Sequence, residues 1–524
     1  MRLHIRSAEV QLVACKVLQV LCNAKGQALD QLLTVGGIPT ILESFKFHAN
    51  HTQVVGEMCH LLRTASWGHG HRKIVAREGG VSLLLQAMSK YRDSVAVQRH
   101  GCGCLHALSW STECKDTLTS WKGDDGESGI FLIVRGMMFH PQDLDLQEQA
   151  CSALAIVSYF VDINKREICE KGGIAAIICA MQTHAGCRGI QEQGCLALWS
   201  LASRTPPPPA LRVGEGEAGG QEENRRAEQV RLEEIEKDEI HASNKFSMSH
   251  GRGIEVLVEA VRVHSKTVVV VERACRALTQ LAHSSPENAL KMCFEEGLPA
   301  ICKAMEHHSG NSHVLEQTIA ALKNIFSSVN NVPKGTKREL NPAHVSSCVV
   351  KTLNAMRRHT SNVAMQRQAC SALGNMALNS QWANGLMESQ GAVQTVVASM
   401  LACMQDDQVQ GRACQTLFVF THDKANLNCM RGLNRKEEGA KRPCHATIRA
   451  LGRHSKNVQV VKMAIHTIMA LTDKDKLIWK DLVSRCGFRQ TIDEAKKSPE
   501  GLWGNKETRV EIEKLWGKLM QKLE

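Results

Sequence analysis

Histidine and cysteine are the side chains whose types and spacing first suggest chemistry in this chain. Counted from His184, the sequence places Gln191 at +7, Gly194 at +10, Cys195 at +11 and Leu198 at +14. The same frame can be laid down ten times, starting at His4, His48, Tyr91, His140, His184, His264, His308, His359, Cys403 and His454. Its +11 positions are Cys15, Cys59, Cys102, Cys151, Cys195, Cys275, Ile319, Cys370, Cys414 and Ile465. Imidazole and thiolate are both metal ligands, so a metal or redox sensor built on this ladder is one reading. Against it, one His and one Cys per frame do not converge on a four-ligand tetrahedron, and Tyr91, Ile319 and Ile465 replace a ligand while the frame runs on undisturbed. The cysteines also sit among Ala, Gly and Leu, where Cys serves as a small apolar side chain. The ladder therefore reads as structural, with no metal and no cofactor. Each His is expected at the C-terminal end of a helix, where imidazole can bond free carbonyls and meets the helix dipole favourably.

The elements that carry the ladder follow from its period. Successive frames lie 44, 43, 49, 44, 80, 44, 51, 44 and 51 residues apart. A repeat of tens of residues is the signature of stacked units that cannot bury their apolar faces alone. In the cleanest copy, Asn164–Lys171 predicts a first helix, Gly172-Gly173 a corner, Ile174–Thr183 a second helix and Ile190–Ser203 a third. The corner recurs as Gly36-Gly37-Ile38, Gly79-Gly80-Val81, Gly253-Ile254 and Gly391-Ala392. Offsets +7, +10, +11 and +14 share one stripe of the third helix. Small residues at +10 allow close approach, and aliphatic residues at +14 fill the seam between units.

Composition agrees with this. The chain is 43% hydrophobic but only 4% aromatic, so its core is built from Leu, Val, Ile, Ala, Met and Cys, which suits stacked helices. An odd cysteine total of 21 with no C-x-x-C favours a reducing compartment, cytoplasmic or nuclear. Val10–Leu21 is interrupted by Lys16 and fits the repeat, which disfavours a secretory signal. No apolar run is long enough to span a membrane. The first frame starts almost at Met1, part-way through a unit, as a chain truncated at this end would.

With these residues in hand, the chain resembles the armadillo-repeat family. The resemblance rests on the three-helix period, the Gly172–Ile174 corner, and third helices such as Gln366–Ala377. It implies an all-α fold, a right-handed α-α superhelix (armadillo-type α-solenoid) of about ten to eleven three-helix repeats of ~44 residues. Residues 1–204 hold armadillo repeats with an incomplete first unit, and 244–475 hold further repeats. Between them, 205–243 is a Pro/Gly-rich then acidic insert, expected to be disordered or partly helical. Residues 476–524, with an apolar stripe over Thr508–Leu523, are expected to form a degenerate capping repeat.

The resemblance also implies a function. Armadillo third helices line a groove in which Asn side chains hold an extended peptide by its backbone. The matching slot is +16, which carries Gln280, Asn324 and Asn375 in consecutive units, with Arg276 one turn before the first. These four are the candidate peptide-binding residues. The Trp that partners Asn in the nuclear-import receptors would fall at +12, and no Trp occurs there, which disfavours that reading. No P-loop, dinucleotide fingerprint or hydrolase motif occurs, so no catalytic residues and no small-molecule substrate are expected. A net charge of +11 leaves room for an acidic partner, whereas two tyrosines and spread-out Lys and Arg disfavour nucleic acid. Lys334–Arg338 reads as a loop between units rather than a nuclear signal. The expectation is a monomeric, non-enzymatic scaffold or adaptor for a protein segment, with the insert folding back on the groove as a possible modulator.

Overall fold

The computed structural model describes residues 1–24, 26–204, 221–332, 339–379, 381–436 and 442–472, with isolated positions from 510 to 521. The expected capping repeat, the loop Lys334–Arg338 and residues 205–220 of the insert lie outside these. Among the described residues the regular structure is 27 α-helices and no strand. The five extra residues of the fourth repeat form a turn closed by one bridge, Lys122 to Ser128. The chain divides into two compact units, Met1–His264 and Ser265–Glu524.

The fifth repeat shows how the sequence makes a unit. Its helices are Asp162–Glu170, Gly173–Thr183 and Arg188–Ala202. Within each compact unit, third helices pack on the third helices of neighbouring repeats. The ladder position at the centre of this seam is fully buried in every repeat, from Cys15 and Cys59 through Cys414 to Ile465.

The Gly-Gly corner divides into two different requirements. Gly172 caps the second helix with φ 77°, in the left-handed region that favours glycine. Gly173 has ordinary backbone but no space, since a Cβ there would lie 2.6 Å from Ile168 Cγ2 and 2.9 Å from its carbonyl oxygen. In the sixth and seventh repeats Arg252 and Glu296 take the left-handed position at φ 68° and 60°. The second glycine is retained there as Gly253 and Gly297. The ninth repeat does the reverse, keeping Gly391 at φ 66° with Ala392 in second place, so either demand can be met without glycine in a given repeat.

Polar side chains then complete the backbone accounting at the end of each second helix, where carbonyls lack intrahelical partners. The +7 glutamine of the third helix reaches back to two of them. Gln191 Nε2 donates to Met181 O at 2.8 Å and to His184 O at 3.1 Å. Gln98, Gln147, Gln366 and Gln410 repeat the pattern.

The histidines do something other than the sequence suggested. Six of the ladder rings reach the preceding repeat and meet the carbonyl one residue past that repeat's own ladder position. His48 Nε2 meets Ile5 O at 2.6 Å, His140 meets Arg92 O at 3.0 Å, and His184 meets Pro141 O at 2.8 Å. His264, His359 and His454 make the same contact with Ala185, Ser309 and Met404. Tyr91 reproduces it through its hydroxyl to Ala49 O at 2.8 Å, and Cys403 through its thiol to Thr360 O. The expected bond to the His's own helix end is replaced because glutamine already occupies those carbonyls in five of these repeats.

The charged insert is helical from Gln221 and runs without a break into the first helix of the sixth repeat, Gln221–His250. Glu236 pairs with Arg166, and Asp238 with Arg204 at 3.1 Å. Asn244 Nδ2 donates to Leu201 O at 3.1 Å. Residues 236–244 are thus held beside the first helix of the fifth repeat and the end of its third.

Two measurements check this account. Gly173→Ala is expected to lower stability by about 1–3 kcal/mol through overpacking, more than Gly172→Ala, whose left-handed backbone costs about 1–2 kcal/mol; urea unfolding of the two variants compares them. Gln191→Leu leaves two carbonyls unpaired, and native-state hydrogen exchange is expected to show the Gly173–Thr183 helix opening about 1–3 kcal/mol more readily.

Candidate functional site

The third helices bury one stripe in the seam; in the second unit offsets +8, +9, +12, +15, +16 and +19 lie opposite it and stay open, whereas in the first unit Ala107, Gln149, Ser152, Ala155 and Ser200 at these offsets are buried. In the second unit this open face forms a cleft of about 400 Å³. Its lining includes Lys323, Asn324, Arg367, Asn375, Arg412 and Gln415. The cleft is contributed by the third helices Ser312–Asn330, Val363–Asn379 and Asp407–Phe420, and His283 adds to its edge.

Of the four residues singled out from the sequence, the structure brings two to this cleft. Asn324 and Asn375 line it, whereas Arg276 and Gln280 lie outside its lining. Arg276 Nη2 instead bonds Glu272 Oε1 at 2.9 Å, and the same oxygen lies 3.1 Å from His313 Nε2. The two asparagines are also partly engaged. Asn324 Nδ2 donates to Thr279 O and Asn375 Nδ2 to Lys323 O, each at 3.0 Å. Each amide at +16 thus spans to the +15 carbonyl of the preceding repeat. An amide has two N–H groups and an acceptor oxygen, so one donor and the acceptor of each stay open to a ligand.

Sequence reading missed the cations between the asparagines. Arg367 pairs with Asp406 at 3.0 Å. Lys323 and Arg412 have no carboxylate partner among the described residues, and Arg412 meets only Gln415 at 3.4 Å. The Lys323 ammonium is pushed below the usual lysine range, first by burial and then by the Arg412 charge. Two unneutralised like charges in one cleft destabilise each other until an anion enters. Charges counted at +9 and +15 as well as +16 would have found them.

The Cys/His ladder contributes no such site. Burial pushes the Cys102, Cys151, Cys275, Cys370 and Cys414 thiols up to about 12, far from the thiolate that metal binding requires. Among the described residues no three His, Cys, Asp or Glu side chains gather where a metal ion could sit. Cys302 and Cys348, outside the ladder, approach to 3.4 Å between sulfurs in a buried contact.

The corresponding face of the first unit is built differently. Arg63 Nη1 and Nη2 grip Asp145 at 2.8 and 3.2 Å, two repeats further on, and Arg99 Nε bonds Asp143 at 3.1 Å. Arg63 crosses Gly103, where a Cβ would lie 2.6 Å from its Cδ. Beside it His60 and His100 stack with centroids 4.2 Å apart. Burial, then His60, Arg63 and Arg99, hold His100 down at about 4.

A stack of three-helix repeats with an open third-helix face is an α-solenoid of the repeat class. No family model matches the chain. It is 27% identical over 203 residues to human armadillo repeat-containing protein 6, covering 35% of this chain and 39% of that protein's length. It is 31% identical over 185 residues to protein aardvark of Dictyostelium discoideum, covering 33% of this chain and 24% of the other. A solved structure from work on a conserved phosphorylation switch controlling the interaction between cadherin and beta-catenin matches with a TM-score of 0.57 and 16% identity. That match covers 80% of this chain and 66% of the other, and at such identity it bears on the fold. Over about a third of its length the chain is similar to armadillo-repeat proteins, less than half of whose own length it spans, and its fold is that of an armadillo-type α-solenoid.

Because His100 is ordinary in the unfolded chain and depressed when folded, the unfolded state binds more protons between pH 6.5 and about 4. Stability is therefore expected to fall as pH drops through that window, and His100→Asn to flatten the fall in urea midpoints measured across it.

Proposed function

We propose that this chain is a non-enzymatic protein-interaction scaffold whose second unit holds an extended, carboxylate-bearing segment of a partner protein on its third-helix face. The observation that carries the reading is the unneutralised pair Lys323 and Arg412 beside the half-engaged amides of Asn324 and Asn375. The amides supply a donor and an acceptor for an extended backbone, and the cations supply the preference for acidic side chains. An open face spread over several repeats suits a length of chain better than a small molecule. Similarity to armadillo-repeat proteins supports the scaffold role, and the name of the cadherin and beta-catenin structure supports a protein partner by analogy. The described cysteines form no disulfide, which supports a reducing compartment, cytoplasm or nucleus, and we take the working species to be a monomer.

The test is fluorescence anisotropy with a labelled Glu-rich peptide of about fifteen residues, against the same peptide with Gln for Glu and with Lys for Glu, in buffers of rising salt. The full chain is expected to prefer the Glu form, and Lys323→Ala and Arg412→Ala each to weaken it about tenfold at low salt. Asn375→Ala is expected to weaken the Glu and Gln forms alike. Equal binding of all three peptides, or unchanged affinity in both cation variants, would remove the proposal.

A further inference from the structure

We infer that the third-helix face of the first unit is a second docking surface, and that it takes a neutral, proline-rich segment of a partner protein in the polyproline II conformation. This goes beyond the acidic-segment reading: it concerns other repeats and another ligand chemistry, and it stands or falls separately.

The register of the repeat points to the surface. At +19, just beyond the third helix, the second, third and fourth repeats carry Trp67, Trp110 and Tyr159. These rings are 50%, 59% and 41% exposed in a chain that has only eight Trp and two Tyr. A chain so poor in aromatics has placed these three at one repeated surface position. The +19 slot belongs to the open face, because in the second unit His283, Ser327 and Leu378, at the same offset, line the cleft. Direct contacts agree: Trp67 meets His106 edge-on with centroids 5.2 Å apart, and Tyr159 lies 6.0 Å from Trp199, both partners being +15 side chains of the following repeat.

The chemistry of the face selects the occupant. Its arginines are spent on its own carboxylates, Arg63 on Asp145 and Arg99 on Asp143, which leaves no cation for an acidic segment, and Glu148 beside them is pushed toward its neutral form by burial and by the Asp145 and Glu192 charges. Arg63 also covers the third repeat at Gly103, closing the floor where an armadillo groove would otherwise admit a peptide backbone. What remains open is one half-exposed ring per repeat, Trp67, Trp110 and Tyr159, the indole N–H groups of Trp67 and Trp110 making no hydrogen bond among the described residues. Packed helices lie about 8–10 Å apart, and a polyproline II helix completes a turn of three residues in about 9 Å. One proline-bearing turn can therefore sit against each ring, with its unpaired carbonyls free to accept from the indoles. Such a segment is already ordered before binding, so little chain entropy is lost on docking.

The experiment titrates the full chain into a fluorescein-labelled oligoproline of about twelve residues, with a Gly/Ser peptide and a Lys-rich peptide of equal length as comparisons. The oligoproline is expected to bind in preference to both, to depend little on salt, and to quench tryptophan emission. Trp110→Ala, whose ring has no described packing partner, is expected to weaken binding about tenfold with unchanged circular dichroism, and Trp110→Phe to fall between. Lys323→Ala is expected to leave oligoproline binding as it was, which separates this surface from the acidic-segment cleft. No preference for oligoproline over the Gly/Ser peptide, undiminished binding by Trp67→Ala and Trp110→Ala alike, or tighter binding of the Lys-rich peptide would each overturn the inference, the last by making the row a cation–π site.

Discussion

The backbone carbonyls at the end of every second helix are the constraint on which the rest of this structure depends. A helix leaves its last carbonyls without partners, and burying them unmet costs about 1–3 kcal/mol each. In six of the ten repeats the +7 glutamine meets that demand, and a second side chain, most often the ladder histidine, adds a bond to the repeat before. The +7 glutamine closes the second helix onto the third of its own repeat, as Gln191 does for Met181 and His184. The ladder histidine ties its repeat to the turn of the one before, as His184 does at Pro141. One bond sets the geometry inside a repeat and the other sets the register between repeats. The fully buried Cys and Leu positions can then form a seam within each unit.

Because the seam uses one stripe of the third helix, the opposite stripe is free to vary. In the second unit it has become a polar cleft with Lys323 and Arg412 unneutralised. In the first unit the equivalent offsets are closed by Arg63 and Asp145 and edged by Trp67, Trp110 and Tyr159. The architecture is common to both and the surface chemistry is not. A reading of function must therefore be made repeat by repeat, since the family fixes the scaffold and leaves the ligand open.

Much of this was legible in the chain itself. The helices of the fifth repeat fall within two residues of where Gly172-Gly173 and the apolar spacing put them, because helix period and glycine corners are local properties. The role of histidine was not legible. An acceptor in the same repeat and one in the preceding repeat stand in the same register, and periodicity alone does not choose between them. Helix in the charged part of the insert was expected, but what holds it was not legible for a related reason: its ion pairs reach Arg166 and Arg204, far away in sequence, and composition reports only on neighbours. At the cleft, the +16 slot led to Asn324 and Asn375 but also to Gln280, and it passed over the cations at +9 and +15 that give the surface its sign.

The separation of rungs from open face has an evolutionary consequence. The residues that hold repeats together, His or its stand-ins Tyr91 and Cys403, glutamine, and the second corner glycine, never coincide with positions that face outward. A substitution at +19, as at Trp110, therefore changes what is recognised with little effect on the fold, whereas +15 and +16 also carry couplings such as Arg63 to Asp145 and Asn375 to the Lys323 carbonyl. A duplicated repeat would arrive with its couplings intact and a surface free to diverge. A lineage carrying this chain could acquire or lose partners one side chain at a time, and comparison of related sequences would show two clocks running at different speeds in the same helix.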